Sequence, residues 1–397
     1  MESPTVEHSP APRGETSQSP VPQPLRSKHT SNFPAILEQL GVSVLVTTYQ
    51  AGKLVLLRSE GTTVNTHFRD LVRPMGIAAD RTRLAVGTAQ EIRQYRNMAP
   101  VCRRLAPPGR HDACYLARAA HVTGDIDIHE MAWAGDDLWF VNTRFSCLCT
   151  VNGIHSFVPR WRPPFVTALA PEDRCHLNGL SMAPEESGRL APRFVTALAG
   201  TDTPQGWREH KKDGGVLVEV PSGRVLVRGL SVPHSPRWVR DRLWLLESGT
   251  GGLGHVDLCA GRFHTIAQLP GFTRGLDIVG NLAFVGLSQV RESAVFSGIP
   301  IAERALAERN CGVWVVDLRS GQTVAFLRFE DAVQEVFAVQ VLPGLRYPEL
   351  APEDPKLLAD SYDLPSAALE DVPAGLRTAA QLMPAGKQQD QTVGLSG

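Results

Sequence analysis

The sequence has no long apolar run and no strongly basic segment. No stretch comes near the ~20 apolar residues that a membrane-spanning helix needs. The N-terminus, MESPTVEHSPAP, lacks the basic and apolar regions of a secretory signal. The net charge is -1, and no run of Lys and Arg exceeds two residues, as at Lys211 and Lys212. We therefore expect a cytoplasmic protein with no membrane partner and no nucleic-acid partner.

The signatures of several enzyme classes are also missing. The chain contains no GxSxG elbow, no HExxH motif and no Walker loop. The run GTGGLG, which begins at Gly249, resembles a phosphate-binding loop but has no strand, loop and helix context. We therefore expect this run to connect two strands, and the corresponding reaction classes lose support.

Cysteine is present, but not in a metal-binding or disulfide pattern. The seven cysteines include no CxxC pair, and their number is odd, so we expect reduced thiols. Cys147 and Cys149 form a CxC in an alternating strand and should face the same side. Core packing is the favoured role of this pair, with a disulfide or metal role as the alternative.

A repeated phrase dominates the informative part of the chain. It consists of a short apolar strand that follows a polar residue, then a turn and a second strand. Adjacent copies lie 54, 49, 56, 40 and 61 residues apart, which is typical of propeller blades. The second half of each unit repeats as a hairpin, as in VLVEVPSGRVLVRGL. The six copies align on Gly76, Glu130, Gly179, Ser235, Gly275 and Val336.

The two ends of the repeat array complement each other. The last copy, EVFAVQVLPG, has only a first strand, whereas the segment that begins VSVLVTTYQAGKLVLL has three strands and no first strand. We predict an all-β fold, a six-bladed β-propeller over residues 33–345, in which the two chain ends complete one blade. Residues 1–31 are predicted to form a disordered tail, and residues 346–397 a Pro-rich, largely disordered extension.

The start of each innermost strand should point into a shared funnel on the propeller axis. Just before the aligned positions stand Met75 and five polar residues, and His176 and Glu130 flank this column. Imidazoles suit transition metals, and a carboxylate makes an open site plausible. The polar residues of the column are His129, Asn178, His234, Arg274 and Glu335.

These residue types support a specific hypothesis for the funnel. We predict that His129, His176 and His234 bind a divalent transition metal (Zn, Fe, Mn, Ni or Cu), and that Glu130 or Glu335 acts as general base. Two alternatives stay open: a metal-free polar ligand pocket, and a polar lining that binds only water.

Further residues are expected to contact a ligand. Arg274 would anchor an anion, or else pair with Glu335 or Glu292. Asn178 and Glu247 are expected on the same face, as are Trp207 and Arg208. The last two lie in an insertion, residues 201–215, between a second and a third strand.

Two more insertions interrupt the repeats. Residues 288–310 also separate a second and a third strand, and residues 299–310 have helical periodicity. Residues 97–114 form a third insertion, to which the sequence assigns no face. A short helical turn is indicated around residues 34–40.

The phrases HEMAW, HLNGLSM, PHSPRW and TRGLDIVGNLAFVGLSQVRES resemble a bacterial family of conserved hypothetical proteins built around a domain of unknown function. The resemblance spans most of residues 33–345 and implies no activity. In architecture the six blades look like gluconolactonase and strictosidine-synthase-like propellers. In the gluconolactonase-like group, Glu, Asn and Asp hold an axial metal, whereas this chain offers histidines, which favours a softer metal than calcium.

Two functions follow as expectations. The first is an axial pocket that binds a small or peptidic anionic ligand, in a metal-dependent enzyme of unresolved reaction type. The second is a non-catalytic propeller that presents its insertions to a protein or peptide partner.

Overall fold

Six four-stranded antiparallel units surround a common axis in the computed structural model, which describes residues 25–290, 298–330, 332–351 and 354–373. The predicted all-β, six-bladed propeller is confirmed. In every blade the innermost strand pairs with the second, the second with the third and the third with the fourth. The innermost strands therefore line the axis, where their side chains can meet across the ring.

The blades are numbered from the one that contains both chain ends. Blade 1 contains β25 (Ala338–Pro343), β2 (Val42–Thr48), β3 (Lys53–Glu60) and β4 (Thr63–Asp70), and blade 2 contains β5 (Ile77–Ala79), β6 (Arg83–Gly87), β7 (Glu91–Asn97) and β8 (Ala113–Val122). Blade 3 contains β9 (Ile128–Ala134), β10 (Asp137–Asn142), β11 (Cys147–Thr150) and β12 (Val158–Trp161).

The remaining blades follow in chain order. Blade 4 contains β13 (Leu177–Pro184), β14 (Leu190–Ala197), β15 (Gly215–Glu219) and β16 (Val225–Leu230). Blade 5 contains β17 (Pro233–Val239), β18 (Arg242–Glu247), β19 (Gly252–Asp257) and β20 (Arg262–Gln268). Blade 6 contains β21 (Phe272–Val279), β22 (Leu282–Ser288), β23 (Gly312–Asp317) and β24 (Thr323–Glu330).

Blade 1 closes the ring in the way that the incomplete repeats predict. Strand β2 pairs with β25 from Val42, opposite Pro343, to Thr47, opposite Ala338. On its other side β2 pairs with β3. The ladder between β2 and β25 therefore joins the two ends of the repeat array.

The chain continues beyond the ring at both ends. Strand β1 (Arg26–His29) pairs antiparallel with β24, and β26 (Pro348–Leu350) pairs parallel with β8. Helix α2 (Pro355–Ala359) follows β26. These three segments lie in the regions for which the sequence predicted disorder, and the two strands are held by hydrogen bonding to the outer strands of blades 6 and 2. The disorder of the remaining terminal residues stays a prediction.

Helices are few in the described residues. Helix α1 (Phe33–Leu40) begins at the indicated turn, with Pro34 in its first turn, and ends at Gly41 in the left-handed region. Residues 299–310 form two 3₁₀ turns, Pro300–Glu303 and Leu306–Glu308, rather than an α-helix. No helix in the described part of the chain is both long enough and apolar enough to cross a membrane.

Apolar side chains of neighbouring blades pack face to face. Leu56, Leu84 and Phe140, from blades 1, 2 and 3, are fully buried in one cluster, as the face-to-face packing of neighbouring sheets requires. Cys147 and Cys149 belong to the same cluster, with their sulfur atoms 3.5 Å apart on one side of β11. The prediction that this pair packs in the core is confirmed, and all seven cysteines are free thiols.

Candidate functional site

The start of the innermost strands is irregular in four neighbouring blades. The pairing register shifts at Glu130, Asn178, Ser235 and Arg274, each of which lies in a bulge opposite the second strand. A bulge leaves residues without ladder partners and turns the side chains next to it. The bulges therefore present polar side chains towards the axis at the upper face, which we define as the face where the innermost strands begin.

Three imidazoles and one guanidinium gather at this face. The ring centroids of His129 and His176 lie 4.8 Å apart. Arg274 and His176 act electrostatically on both His129 and His234. We call this group, His129, His176, His234 and Arg274, the axial cluster.

His129 and His234 are held by the same local arrangement in two blades. Nδ1 of His129 lies 3.2 Å from the carbonyl oxygen of Asp127 and 2.8 Å from the hydroxyl of Thr143. Nδ1 of His234 lies 3.1 Å from the carbonyl oxygen of Val232 and 2.9 Å from the hydroxyl of Ser248. In both blades the carbonyl is two residues before the histidine and the hydroxyl is 14 residues after it.

The hydroxyl groups determine which imidazole nitrogen is protonated. Thr143 donates its proton to the carbonyl of Leu177 at 2.6 Å, and Ser248 donates its proton to the carbonyl of Thr273. Each hydroxyl can then only accept from the imidazole, and the backbone carbonyl is also an acceptor. We therefore assign the proton to Nδ1, which leaves the Nε2 lone pair free in the neutral ring.

Burial keeps these two imidazoles neutral. It holds the pKa of His129 and that of His234 well below the usual range, and the positive charge of Arg274 acts in the same direction. Their Nε2 atoms make no hydrogen bond to any residue that the structure describes. Both side chains can therefore accept a hydrogen bond or a proton from a ligand.

His176 is oriented by a carboxylate. Its Nδ1 lies 3.0 Å from both oxygens of Asp173, and Trp207 donates from Nε1 to Oδ2 of the same carboxylate at 2.8 Å. The indole of Trp207 also packs on the imidazole, with centroids 4.4 Å apart, and is 1% exposed. Asp173 thus places the proton on Nδ1 of His176, so its Nε2 is also a proton acceptor.

Arg274 is buried beside an aromatic ring and a carboxylate. Its guanidinium carbon lies 3.4 Å from the centroid of Phe337, and its Nη1 lies 3.6 Å from Oε1 of Glu335. Burial lowers the pKa of Arg274 to about 10 and raises that of Glu335. The ion pair that the sequence offered as an alternative role for Arg274 is present, whereas Glu292 lies outside the described residues.

Glu130 does not join the axial cluster. Its Oε1 lies 2.6 Å from Nη2 of Arg237, and Arg237 also interacts with Asp277. Burial raises the pKa of both carboxyl groups. Asp277 in turn accepts hydrogen bonds from Gln340 and from the backbone of Val341, both at 2.7 Å. We call Glu130, Arg237 and Asp277 the lower axial layer.

The other predicted ligand-binding residues have local partners. Asn178 donates to the carbonyl of Pro233 and accepts from Thr196, so both ends of its amide are used. Glu247 accepts from the backbone of Ser231 and from Thr250. Arg208 is exposed, donates to Gln205 at 2.8 Å and lies over the outer side of Trp207.

Some residues of the site were not found in the sequence. Asp173 and Phe337 contact the cluster from loops, and Thr143 and Ser248 follow second strands. The equal spacing of 14 residues from histidine to hydroxyl was a signal that could have identified the last two. No comparable pattern marked Asp173, whose partner Trp207 is 34 residues away.

The imidazoles have the protonation that a metal ligand needs, since a metal-bound His usually donates its other nitrogen to a carbonyl or carboxylate. In the described part of the chain, no group of three or more His, Cys, Asp and Glu side chains is close enough together to hold a metal ion. The predicted transition-metal site stays a prediction.

The insertions lie on different faces. Residues 201–215 and 288–310 follow second strands and reach the upper face, although residues 291–297 lie outside the described residues. Residues 97–114 separate the third and fourth strands of blade 2 and lie on the opposite, lower face. Only the first of these three insertions contributes an aromatic side chain to the axial cluster among the described residues.

Comparison with known proteins gives a family and a fold. A family model described as a domain of unknown function, DUF4915, matches residues 31–351. No curated protein matches the chain. A nidogen/laminin complex contains a chain that is 11% identical, with a TM-score of 0.49 and coverage of 76% of this chain and 99% of that one. A protein of unknown function from Bacteroides caccae is 10% identical, with a TM-score of 0.47 and coverage of 76% and 98%.

Proposed function

This chain belongs to the DUF4915 family, and we propose that it is an enzyme whose axial cluster binds a small anionic substrate and removes a proton from it. Arg274 would bind the anionic group, and Nε2 of His176 would accept the proton. His129 and His234 would accept hydrogen bonds from the rest of the substrate.

The observation that carries this proposal is the pairing of a buried guanidinium with an oriented imidazole. Arg274 is 7% exposed, and its distance of 3.6 Å to Glu335 is longer than the ~2.7–2.9 Å of a close charge-assisted hydrogen bond. The guanidinium therefore retains donors that a carboxylate or phosphate can use in a two-point contact. Asp173 supplies the orientation that a general base requires.

The lower axial layer gives the cluster a floor. The layer places two carboxyl groups, Glu130 and Asp277, and only one cation, Arg237, below the cluster, so an anion is expected to bind at the upper face beside Arg274 rather than deeper in the channel. The two residues predicted from sequence as alternative general bases, Glu130 and Glu335, therefore have different roles in this proposal. Glu335 is the group that an anionic ligand would displace from Arg274.

Binding can be tested with isothermal titration of succinate and of inorganic phosphate. Since a hydrogen bond to a charged group contributes about 1.5–3 kcal/mol, Arg274→Gln should weaken binding of the preferred anion at least about tenfold. Arg193→Gln, which changes an exposed arginine paired with Glu219, is the matched control. Equal affinity in all three proteins would contradict the proposal.

Catalysis needs a second readout. Proton NMR of a panel of 2-oxo acids and carboxylic esters in D₂O reports both deuterium incorporation and hydrolysis. The parent should convert at least one compound, and His176→Gln should lose at least about a hundredfold in rate, in the range usual for a general base, while binding changes little. Binding without any conversion would support the anionic pocket and contradict the enzyme.

The alternative function, a non-catalytic scaffold for a protein or peptide, depends on residues 201–215. In this loop the buried side chain of Trp207 packs against the axial cluster, whereas Arg208 is exposed. Replacing Arg208 with Ala should leave anion binding unchanged. The scaffold function would be favoured if this variant no longer bound a peptide or protein partner and if the axial cluster of the parent bound no anion and converted no substrate.

A further inference from the structure

A second cleft lies on the lower face, at the seam between blades 5 and 6. Its volume is about 340 Å³, and it is lined by the turns that join the first and second strands of these blades. Strand β17 begins near His234 and ends at Val239, so at about 3.3 Å per residue the cleft is roughly 17 Å from the axial cluster. It is a separate site from the one proposed above.

Three arginines surround this cleft. Arg240, Arg242 and Arg319 all line it. Arg319 pairs with Asp317 at 3.3 Å, but among the described residues neither Arg240 nor Arg242 forms an ion pair with a carboxylate. Arg240 instead crosses the seam and donates to the side-chain oxygen of Asn281 at 2.9 Å. The charge of two guanidinium groups is therefore not neutralised by a direct protein partner.

The floor of the cleft is apolar and aromatic. Trp244 lines it together with Ile278 and Leu318, and the guanidinium of Arg242 lies 5.7 Å from the indole. Trp244 is stacked on His255 at 5.5 Å, which fixes the plane of the indole. A cavity of this size, with an apolar floor and a few charged groups at its rim, has the composition of a small-molecule site.

The backbone of Arg240 is the second, independent observation. Arg240 and Asp241 form the turn between β17 and β18 with φ of 52° and 56°. At the corresponding turns of blades 3 and 6 the first residue is glycine, Gly135 with φ of 60° and Gly280 with φ of 58°. A left-handed conformation strains an arginine but not a glycine. Blade 5 thus has an arginine where blades 3 and 6 have glycine, and such strain is typical of functional positions.

From these observations we infer that the lower-face cleft is a binding site for a small organic anion with an apolar, planar body. Arg240 and Arg242 bind its carboxylate or phosphate group, and the body lies on Trp244, Ile278 and Leu318. The guanidinium fork fits two oxygens of one anionic group. The aromatic floor accounts for the selection of a planar molecule over a bare anion.

The test uses 2-naphthoate as the probe, with its neutral counterpart 2-naphthalenemethanol and inorganic phosphate for comparison. Affinities are measured on the full-length chain by ligand-observed NMR titration, and thermal midpoints are recorded in parallel. In the Arg274→Gln background, which lacks the anion anchor of the axial cluster, the chain should bind 2-naphthoate at least fivefold more tightly than either comparison ligand. Equal binding of the alcohol, equal binding of phosphate or no binding of naphthoate would each overturn the inference.

The variant Arg240→Gly separates binding from folding. Because glycine removes the strain of the turn, this variant should melt at the same temperature as the parent or higher, while its affinity for 2-naphthoate falls at least fivefold. The double variant Arg240→Gly, Arg242→Gln should bind still less. Unchanged affinity in the folded double variant would overturn the inference.

Two control variants locate the bound probe. Arg262→Gln changes an exposed arginine of the same blade that does not line the cleft, and it should bind 2-naphthoate like the parent. Arg274→Gln removes the anion anchor of the axial cluster and should retain the binding of 2-naphthoate at the lower-face cleft. If Arg274→Gln alone abolished binding, the probe would occupy the axial cluster and the lower-face site would be refuted.

Discussion

The imidazole rings of His129 and His176 lie edge to face, with centroids 4.8 Å apart and an angle of 86° between their planes. Two imidazolium ions at this distance would repel each other in a buried site that already contains Arg274. The contact therefore favours a neutral His129, and it links the acid stability of the fold to the chemistry of the pocket.

The first prediction concerns stability at low pH. In the folded state the pKa values of His129 and His234 are depressed, chiefly by burial, whereas an unfolded histidine titrates near pH ~6.5. The stability that these groups contribute is present above that pH and is lost as the pH falls, by about 1.4 kcal/mol per pH unit for each ring. Urea unfolding from pH 7.5 to 5 should show a flatter profile for His129→Gln, His234→Gln than for the parent.

The comparison between parent and variant isolates the imidazoles. The pKa values of Glu130, Asp277 and Glu335 are raised, mainly by burial, and these groups titrate in both proteins. The stability that these carboxyl groups contribute is lost as the pH rises, which is the opposite of the histidine effect. Because they titrate in both proteins, their contribution cancels when the two unfolding profiles are subtracted. Parallel profiles would contradict the assignment of neutral imidazoles.

The second prediction concerns the tautomers. Nitrogen-15 NMR of the imidazoles should show the proton on Nδ1 in His129, His176 and His234 at pH 7.5, since each Nδ1 faces only acceptors. Ser248→Ala removes one of these acceptors and should shift only the signals of His234. Protonation at Nε2 in the parent would show that the hydroxyl protons point elsewhere.

The third prediction uses the ion pair of Arg274 and Glu335. Glu335→Gln removes the carboxylate that competes for the guanidinium, so anion binding should strengthen by roughly three- to tenfold, as expected when a weak charged contact of about 1 kcal/mol is lost. Arg274→Gln should act in the opposite direction. Calorimetry of both variants checks whether the affinity for the anion rises in one and falls in the other. Weaker anion binding in both variants would mean that Glu335 itself contacts the ligand.

The fourth prediction concerns the lower axial layer. Arg237→Met leaves Glu130 and Asp277 without their shared cation and should lower the free energy of unfolding by about 3–5 kcal/mol. Glu130→Gln should cost less, because Arg237 still faces Asp277. Denaturant unfolding measures both. A loss of anion binding in folded Glu130→Gln would restore the functional role that the sequence suggested for this residue.

The fifth prediction concerns the transition-metal hypothesis. It requires near-stoichiometric Zn, Fe, Mn, Ni or Cu in the purified protein, and a loss of that metal in folded His129→Ala, His234→Ala. Elemental analysis by mass spectrometry decides it. No metal in either protein after reconstitution would contradict the hypothesis and leave the metal-free pocket.

The sequence was sufficient to predict the ring but not the chain ends. Strands such as β10 are short apolar runs at the spacing that a blade requires. The strands that the first and last repeats lack showed that these two repeats form one blade. Strands β1 and β26 are only four and three residues long, and they are paired with β24 and β8, which are distant in sequence. Long-range hydrogen bonding of this kind leaves no periodic signal.

The functional site was predicted only in part, because the repeat pattern gives the position of a residue along a strand but not the direction of its side chain at a bulge. The repeat column located His129, His234 and Arg274, because equivalent strands begin at equivalent depths. It could not give the direction of Glu130, since a bulge at the start of β9 breaks the alternation on which the assignment depended.

The shared blade of the two chain ends has a consequence for biosynthesis. Strand β2 has no inner neighbour until β25, whose Pro343 pairs with Val42, has been synthesised. During translation the inner edge of β2 stays exposed while five other blades form, and exposed edges pair readily with other chains. A truncated chain that ends before Ala338 should therefore be prone to aggregation, even though most of its blades are complete.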